Sequence, residues 1–212
     1  MFTAHPSREL TRAFGEKPYQ GADPKQAQLI FVGLDANYAS NIQEQPIFKA
    51  ILEYHLDGPS FWKKHGVHHP FLLPAYRGSG RKYHRNFSKI GLTPDHADRV
   101  SFVELLAIPT TGRSSLTPDD LDAGHLTYLH DVIFQGNPKN VFLSAAVTNL
   151  MKRTGRFPQL SEAADSISAI LPLLYDRDGT SVYRHLHFSV YGKSEAKRAA
   201  EAMQINTIAL QV

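Results

Sequence analysis

The chain has no cysteine, so it holds no disulfide and offers no thiolate nucleophile and no cysteine-ligated zinc or iron–sulfur centre. It has no run of about 18 apolar residues, which excludes a membrane-spanning helix of the usual kind. Charges at residues 1–10 stand where a signal peptide would carry its apolar stretch, so a cytoplasmic protein is expected. Acid is missing locally. Between residues 61 and 94 there is no Asp or Glu, while Lys63, Lys64, Arg77, Arg81, Lys82, Arg85 and Lys89 supply seven positive charges. The rest of the chain carries 16 basic and 20 acidic residues, so the net charge of +3 comes from this one segment. Phe61, Trp62, Phe71, Tyr76, Tyr83 and Phe87 are interleaved with it. That mixture suits a phosphate backbone with bases to stack on, and it equally describes a solvated basic face over ordinary core aromatics.

What is present fits one domain. The 212 residues are 42% hydrophobic, enough for a real core but too few for two full-sized domains. Residues 1–212 therefore read as a single soluble α/β domain, with an irregular or partly helical lead-in over 1–25 and a basic-aromatic segment over 57–94. Apolar runs at 28–32, 99–106, 140–144 and 183–190 read as strands. Helical spacing appears at 46–55, 82–90, 117–134, 146–152, 161–171 and 194–203. An edge strand is expected at 207–210 and irregular chain at 57–80. Strands alternating with helices predict a mainly parallel, four-stranded sheet covered on both faces. Ligands in such folds bind beyond the carboxyl ends of the strands, which directs attention to 33–35, 104–112 and 187–191.

Motifs occur at those places. After the first strand stands G-L-D-A-N-Y, from Gly33 to Tyr38; later come G-R-K-Y-H-R-N-F-S-K-I-G-L-T, from Gly80 to Thr93, and S-F-V-E-L-L-A-I-P-T, from Ser101 to Thr110. Near the end stands H-F-S-V-Y-G, from His187 to Gly192. In this order they resemble the uracil-DNA glycosylase superfamily, which has G-Q-D-P-Y-H or G-I-N-P-G at the first place, G-N-R-F-W with G-F-T or G-L-T at the second, a strand ending in R-P-T at the third and H-P-S-P-L-S at the fourth. The resemblance implies a three-layer α/β/α, uracil-DNA glycosylase-like fold. It implies a base-excision enzyme, without cofactor or metal, that flips a damaged or mismatched base from DNA and hydrolyses its N-glycosidic bond. A monomer with DNA as its partner is expected.

The resemblance assigns roles. Asp35 would orient the attacking water and stabilise a cationic sugar, and His187 would stabilise the anionic leaving base. Gly33 belongs to the base pocket. Tyr38 would shape its floor, and Phe48 would stack on the base. Arg81, Lys82 and Arg85 would face DNA; Ser189 would contact phosphate, and Tyr191 would wedge into the gap left by the flipped base. From the residues alone, Asp35 also reads as a helix cap, His187 as a core histidine on a strand, and Phe48 as part of an apolar helix face with Ile51 and Leu52.

Two positions depart from the pattern. Ala36 stands where the family has proline. Glu104 stands where the uracil-reading branch has Asn, whose amide offers both a donor and an acceptor. An ionised Glu104 offers acceptors only, which opposes uracil and suits paired donors such as those of a guanine-like base; protonation would reverse this. These departures favour a second reading, a nucleic-acid-binding protein of the same fold without catalysis. Histidines suggest a third. His65, His68 and His69 cluster, and His185 with His187 would share a strand face, as a metal-dependent hydrolase would need; without nearby acid, the first cluster is expected to face DNA or solvent.

Overall fold

The computed structural model describes residues 1–112, 115–137, 139–160, 169–190 and 192–211. The elements in chain order are β1 (Thr3–Ala4), α1 (Arg8–Glu16), β2 (Tyr19–Gly21), β3 (Leu29–Gly33), β4 (Asn37–Tyr38), α2 (Phe48–Leu56), α3 (Gly58–His65) and α4 (Arg81–Ser88). They continue with β5 (Val100–Glu104), β6 (Thr110–Thr111), α5 (Ala123–Phe134), β7 (Lys139–Ser144), α6 (Ala145–Arg153), β8 (Leu173–Arg177), β9 (Thr180–His185) and α7 (Glu195–Ala209). Among the described residues no helix is long and apolar enough to cross a membrane.

The main sheet has six strands in the order β2-β5-β3-β7-β9-β8. Its inner four, β5, β3, β7 and β9, run parallel, and antiparallel β2 and β8 add one strand at each edge. The period of two along the strands sorts their side chains into two layers. Ile30 and Val32 with Val141, Leu143 and Val182 pack under α5 and α6, whereas Leu29, Phe31 and Phe142 pack under α3, α4 and α7. Both faces are therefore covered, and the fold is mixed α/β with a sheet core. A second, three-stranded sheet, β1-β6-β4, lies beyond the carboxyl end of β3.

Three expectations change, and a fourth falls mainly outside the described residues. The stretch 57–80 is not all irregular: Asp57 accepts the Ser60 N–H at 2.9 Å, Pro59 lies in the first turn, and Gly66 at φ 67° ends helix α3. Its Gly and Pro residues serve helix ends rather than coil. The edge strand at 207–210 is instead the end of α7, because Ala202, Ile205 and Ala209 recur at helical spacing against the sheet. The fourth strand stops at His185, since the Leu186 N–H is taken by the Glu201 carboxylate at 2.9 Å instead of continuing a ladder. The helix expected at 161–171 falls mainly on 161–168, outside the described residues.

Packing of α3 on the sheet edge depends on two glycines in contact. A Cβ on Gly58 would lie 2.6 Å from Gly21 Cα and 2.7 Å from its N, and Gly21 itself needs φ 79°. Backbone cannot swing aside as a side-chain tip can. Alanine at this first helical position gains less than the roughly 0.5–1 kcal/mol of a mid-helix site, against an overpacking cost of roughly 1–3 kcal/mol. Gly58→Ala is therefore expected to lower stability despite its better propensity, read as a reduced urea midpoint at unchanged m-value.

Candidate functional site

A cavity of about 320 Å³ opens beyond the carboxyl ends of the parallel strands. It lies near the lower limit of small-molecule sites, roughly 300–1,000 Å³, and admits a single ring system more readily than a whole nucleotide. Gly33, Asp35, Tyr38, Glu104 and His187 all line it. These five were anticipated from the sequence, and the fold brings them together from β3, β4, β5 and the turn after β9.

Register sets the polar end. β3 and β5 pair in parallel so that Gly33 stands opposite Glu104. A Cβ on Gly33 would lie 2.0 Å from Glu104 Oε2 and 2.8 Å from Oε1, so the carboxyl lies in the space that the missing side chain leaves. The Glu104 carbonyl is held from the other side by His125 Nε2 at 2.8 Å. Burial first, then the negative charge of Asp35, raises the pKa of the Glu104 carboxyl to about 8. Glu104 keeps some accessible surface and lines the cavity, so it is withdrawn from bulk water yet reachable by a ligand.

The loop bearing Asp35 is held by the segment that follows β5. Leu105 and Leu106 N–H groups bond to the carbonyls of Gly33 and Leu34 at 3.0 Å each, and Thr110 N–H bonds to Ala36 O at 2.9 Å. The Thr110 hydroxyl donates to Asp35 Oδ2. Asn37 Nδ2 donates to the same hydroxyl oxygen at 2.9 Å and to Gly112 O at 2.8 Å, which leaves the hydroxyl hydrogen to the carboxylate. Asp35 is thus no helix cap. Ala36, at the family's proline position, is buried, and its carbonyl joins this lattice.

His187 lies in the turn after β9, at the cavity mouth, and not on a strand face with His185. The Ser189 N–H donates to its Nδ1 at 3.2 Å, so a neutral ring carries its hydrogen on Nε2. Partial loss of solvent at the mouth lowers its pKa and favours that neutral form. Three side chains hold the turn: Glu201 at Leu186 N–H, Asn86 Nδ2 at Phe188 O (2.5 Å), and Arg198 at Val190 O. Ser189 is exposed beside it, and Tyr191 lies outside the described residues.

Other expectations are corrected. Phe48 does not line the cavity; it is buried with Leu10, Phe14, Ile47 and Ile51, because its helix turns that face toward α1. The aromatic surface of the cavity comes instead from Phe71, Tyr83 and Phe102, and Phe102 stacks on Phe31. Arg81 is not a free DNA-facing cation. Its guanidinium bonds to the carbonyls of Leu73 (3.1 Å), Leu72 (3.5 Å) and Tyr76. Lys63, Lys64 and Lys89 pair with Asp98, Glu53 and Glu195, acids supplied from outside the acid-free segment. Lys82 and Arg85 remain exposed on α4.

Two of the three clustered histidines are buried rather than facing DNA or solvent. His65 binds Glu53 at 3.2 Å, but His68 and His69 are buried. They meet His84, which the motifs did not single out: His68 Nε2 and His84 Nδ1 are 3.2 Å apart, and the His69 and His84 rings stack at 3.5 Å. Burial lowers the pKa of all three, that of His68 to about 3. Among the described residues no group of three or more His, Cys, Asp or Glu is placed to hold a metal ion. His69, His84 and Gln20, whose amide donates to Tyr38 OH at 2.9 Å, also line the cavity. The signal for His84 was its place beside Tyr83 on the inner face of an amphipathic helix; Gln20, on a three-residue edge strand, had none. Comparison of the sequence with models of protein families and with curated proteins finds no match.

The perturbed acid and the buried histidine act oppositely on stability. Glu104 has a raised folded pKa, so its contribution is complete below about 4.5 and is lost as pH rises through about 8. His68, with a lowered pKa, contributes fully above 6.5 and loses stability as pH falls toward about 3. A tenfold change in a group's acidity on folding corresponds to about 1.4 kcal/mol. Urea midpoints measured from pH 4 to 9.5 should form a dome. Glu104→Gln should flatten its alkaline side, and His68→Gln its slope between pH 6.5 and 5.

Proposed function

We propose that this protein is a monofunctional DNA glycosylase that hydrolyses the N-glycosidic bond of a flipped, altered base. The observation that carries the reading is the meeting of Asp35, Glu104 and His187, from three strand ends far apart in sequence, around a cavity of base size. Four inner parallel strands between helical layers suit the uracil-DNA glycosylase-like architecture that the motifs imply.

The chemistry follows from the geometry. Cleavage of an N-glycosidic bond develops positive charge on the sugar and negative charge on the base. Asp35, fixed by the Thr110 hydroxyl, orients a water toward the sugar and stabilises its charge. His187 presents its Nε2–H to the oxygen of the departing base. A neutral donor is the suitable form here, since it strengthens its hydrogen bond as the anion forms and has no strong ground-state pairing to give up. Lys82 and Arg85 on α4, with the exposed turn at Ser189, form the surface toward the DNA backbone.

The departures at Ala36 and Glu104 support the second reading, a DNA-binding protein of this fold without catalysis. Single-turnover assays on duplexes carrying different altered bases separate the two. Asp35→Asn should lower the rate by roughly 10²–10⁴ and His187→Ala by about 10²–10³, both with DNA affinity nearly unchanged. Binding without release of any base from the panel would favour the second reading.

Electrostatics gives a further expected outcome. DNA affinity should fall steeply with salt, and neutralising Lys82 and Arg85 should reduce the slope by about one for each phosphate that they neutralise. Arg81→Ala should instead lower thermal stability, because three carbonyls lose their donor. Salt-insensitive binding would count against a nucleic-acid role of either kind.

A further inference from the structure

Among the described residues no buried polar side chain lines the groove between α6 and Leu34, and the buried Lys139 is satisfied by the Val132 carbonyl at 2.8 Å. Glu104 is different. Its carboxyl lies in the cavity against Gly33, Asp35 is the other carboxylate there, and no ion pair or hydrogen-bond donor to it is found among the described residues.

The titratable groups that line the cavity with it come from several elements, and His125 on α5 reaches only its backbone carbonyl. They are Asp35 after β3, Tyr38 on β4, Tyr54 on α2, and Tyr83 and His84 on α4; His69 and His187 complete the set. The three tyrosines are held neutral by burial, and the three imidazoles are pushed toward their neutral forms. No Lys or Arg lines the cavity among the described residues. Burial and the neighbouring Asp35 both disfavour a negative charge on Glu104.

We propose that Glu104 works in this cavity as a neutral carboxylic acid that selects rings with an N–H beside a C=O, and that ionising it reverses the selection. The inference rests on reading the cavity as a base pocket, and it concerns which base. A carboxylic acid carries an O–H donor and a C=O acceptor side by side. It therefore meets the complementary N–H and C=O of an imide or lactam, the edge that deaminated bases share, through two parallel hydrogen bonds. A carboxylate has acceptors only; it opposes the ring carbonyl and favours an amino-bearing edge such as that of cytosine. With the Glu104 pKa raised to about 8, the change falls within an accessible range of pH. This takes up the protonated alternative that the sequence leaves open, in which Glu104 no longer opposes uracil-like rings. The family amide has a functional equivalent here in a protonated acid, with a dependence on pH that an amide lacks.

Gly33 is part of the device. Without a Cβ at that position, both carboxyl oxygens can lie against the strand. Alanine there would push the carboxyl aside by displacing the mobile end of Glu104 and not the backbone.

The test measures binding without turnover. Fluorescence anisotropy is recorded from pH 6 to 9 for duplexes carrying one 2′-fluoroarabino analogue of uridine, cytidine, inosine or adenosine, whose glycosidic bonds resist cleavage. With the native protein, the uridine and inosine duplexes are expected to bind about tenfold more tightly than their amino-bearing counterparts at pH 6.5. That preference should disappear or reverse by pH 9. Glu104→Gln, an amide with a fixed donor and acceptor, should keep the preference at both pH values, and Gly33→Ala should reduce it. The 13C shift of the Glu104 carboxyl, assigned by its loss in Glu104→Gln, should titrate near pH 8 whatever the variants do. A native preference for cytidine and adenosine at pH 6.5, no discrimination, or a pH-independent preference overturns the proposal; so does a carboxyl titrating near pH 4.5. The outcomes for the two readings are separable. A pH-dependent preference with no release of natural bases would strike hydrolysis and leave Glu104. Hydrolysis with pH-independent selection would strike Glu104 and leave hydrolysis.

Discussion

The pairing of β3 with β5 sets almost everything at the polar end of the molecule. It places Gly33 opposite Glu104, and because Gly33 has no side chain, a carboxyl enters space that a methyl group would fill. A shift of one residue would send that carboxyl to the opposite face of the sheet. The same ladder continues past the strand ends through Leu105, Leu106 and Thr110, which hold the loop bearing Asp35. Two carboxyls thus arrive near one another by backbone geometry. In water such an arrangement would have little effect. In a cleft lined by Phe71, Tyr83 and Phe102 it raises the pKa of the Glu104 carboxyl, so that this group holds a proton at neutral pH.

The inner strands were legible in the sequence because each is a short apolar run ended by a turn or by polar residues, and such runs have few other uses in a small domain. Gly33, Asp35, Tyr38, Glu104 and His187 followed from the strand ends together with the motifs, and all line the cavity. Phe48 shows where spacing misleads. Its position in the chain matched a stacking residue, but its helical phase belonged to Ile47 and Ile51, and burial of that face decided the matter. The edge strands β2 and β8 were not legible. An edge strand of three residues has no periodicity to detect, and in β8 the apolar Leu173, Leu174 and Tyr175 give way at once to Asp176 and Arg177.

Charge was the least legible quantity. A segment without acid looked like a basic face, yet folding brings Asp98, Glu53 and Glu195 to three of its lysines and several backbone carbonyls to Arg81. Local composition cannot reveal partners that come from other elements. The histidines show the same effect with opposite sign. A cluster that looked solvated is stacked into the interior, because neutral imidazole packs as an aromatic ring when burial suppresses its charge.

The turn that carries His187 is tied by Asn86 from α4 and by Arg198 and Glu201 from α7, helices already packed on one face of the sheet. It is therefore a rigid shelf more than a closing lid. A rigid shelf does not reshape itself around what it receives, so the cost of fitting falls on the incoming molecule. If that molecule is a DNA duplex, the kinking and unstacking must be done by the nucleic acid. Sites where base pairing is already weak would then be engaged first, a discrimination exerted by the mechanics of the duplex before any atom of the base is read.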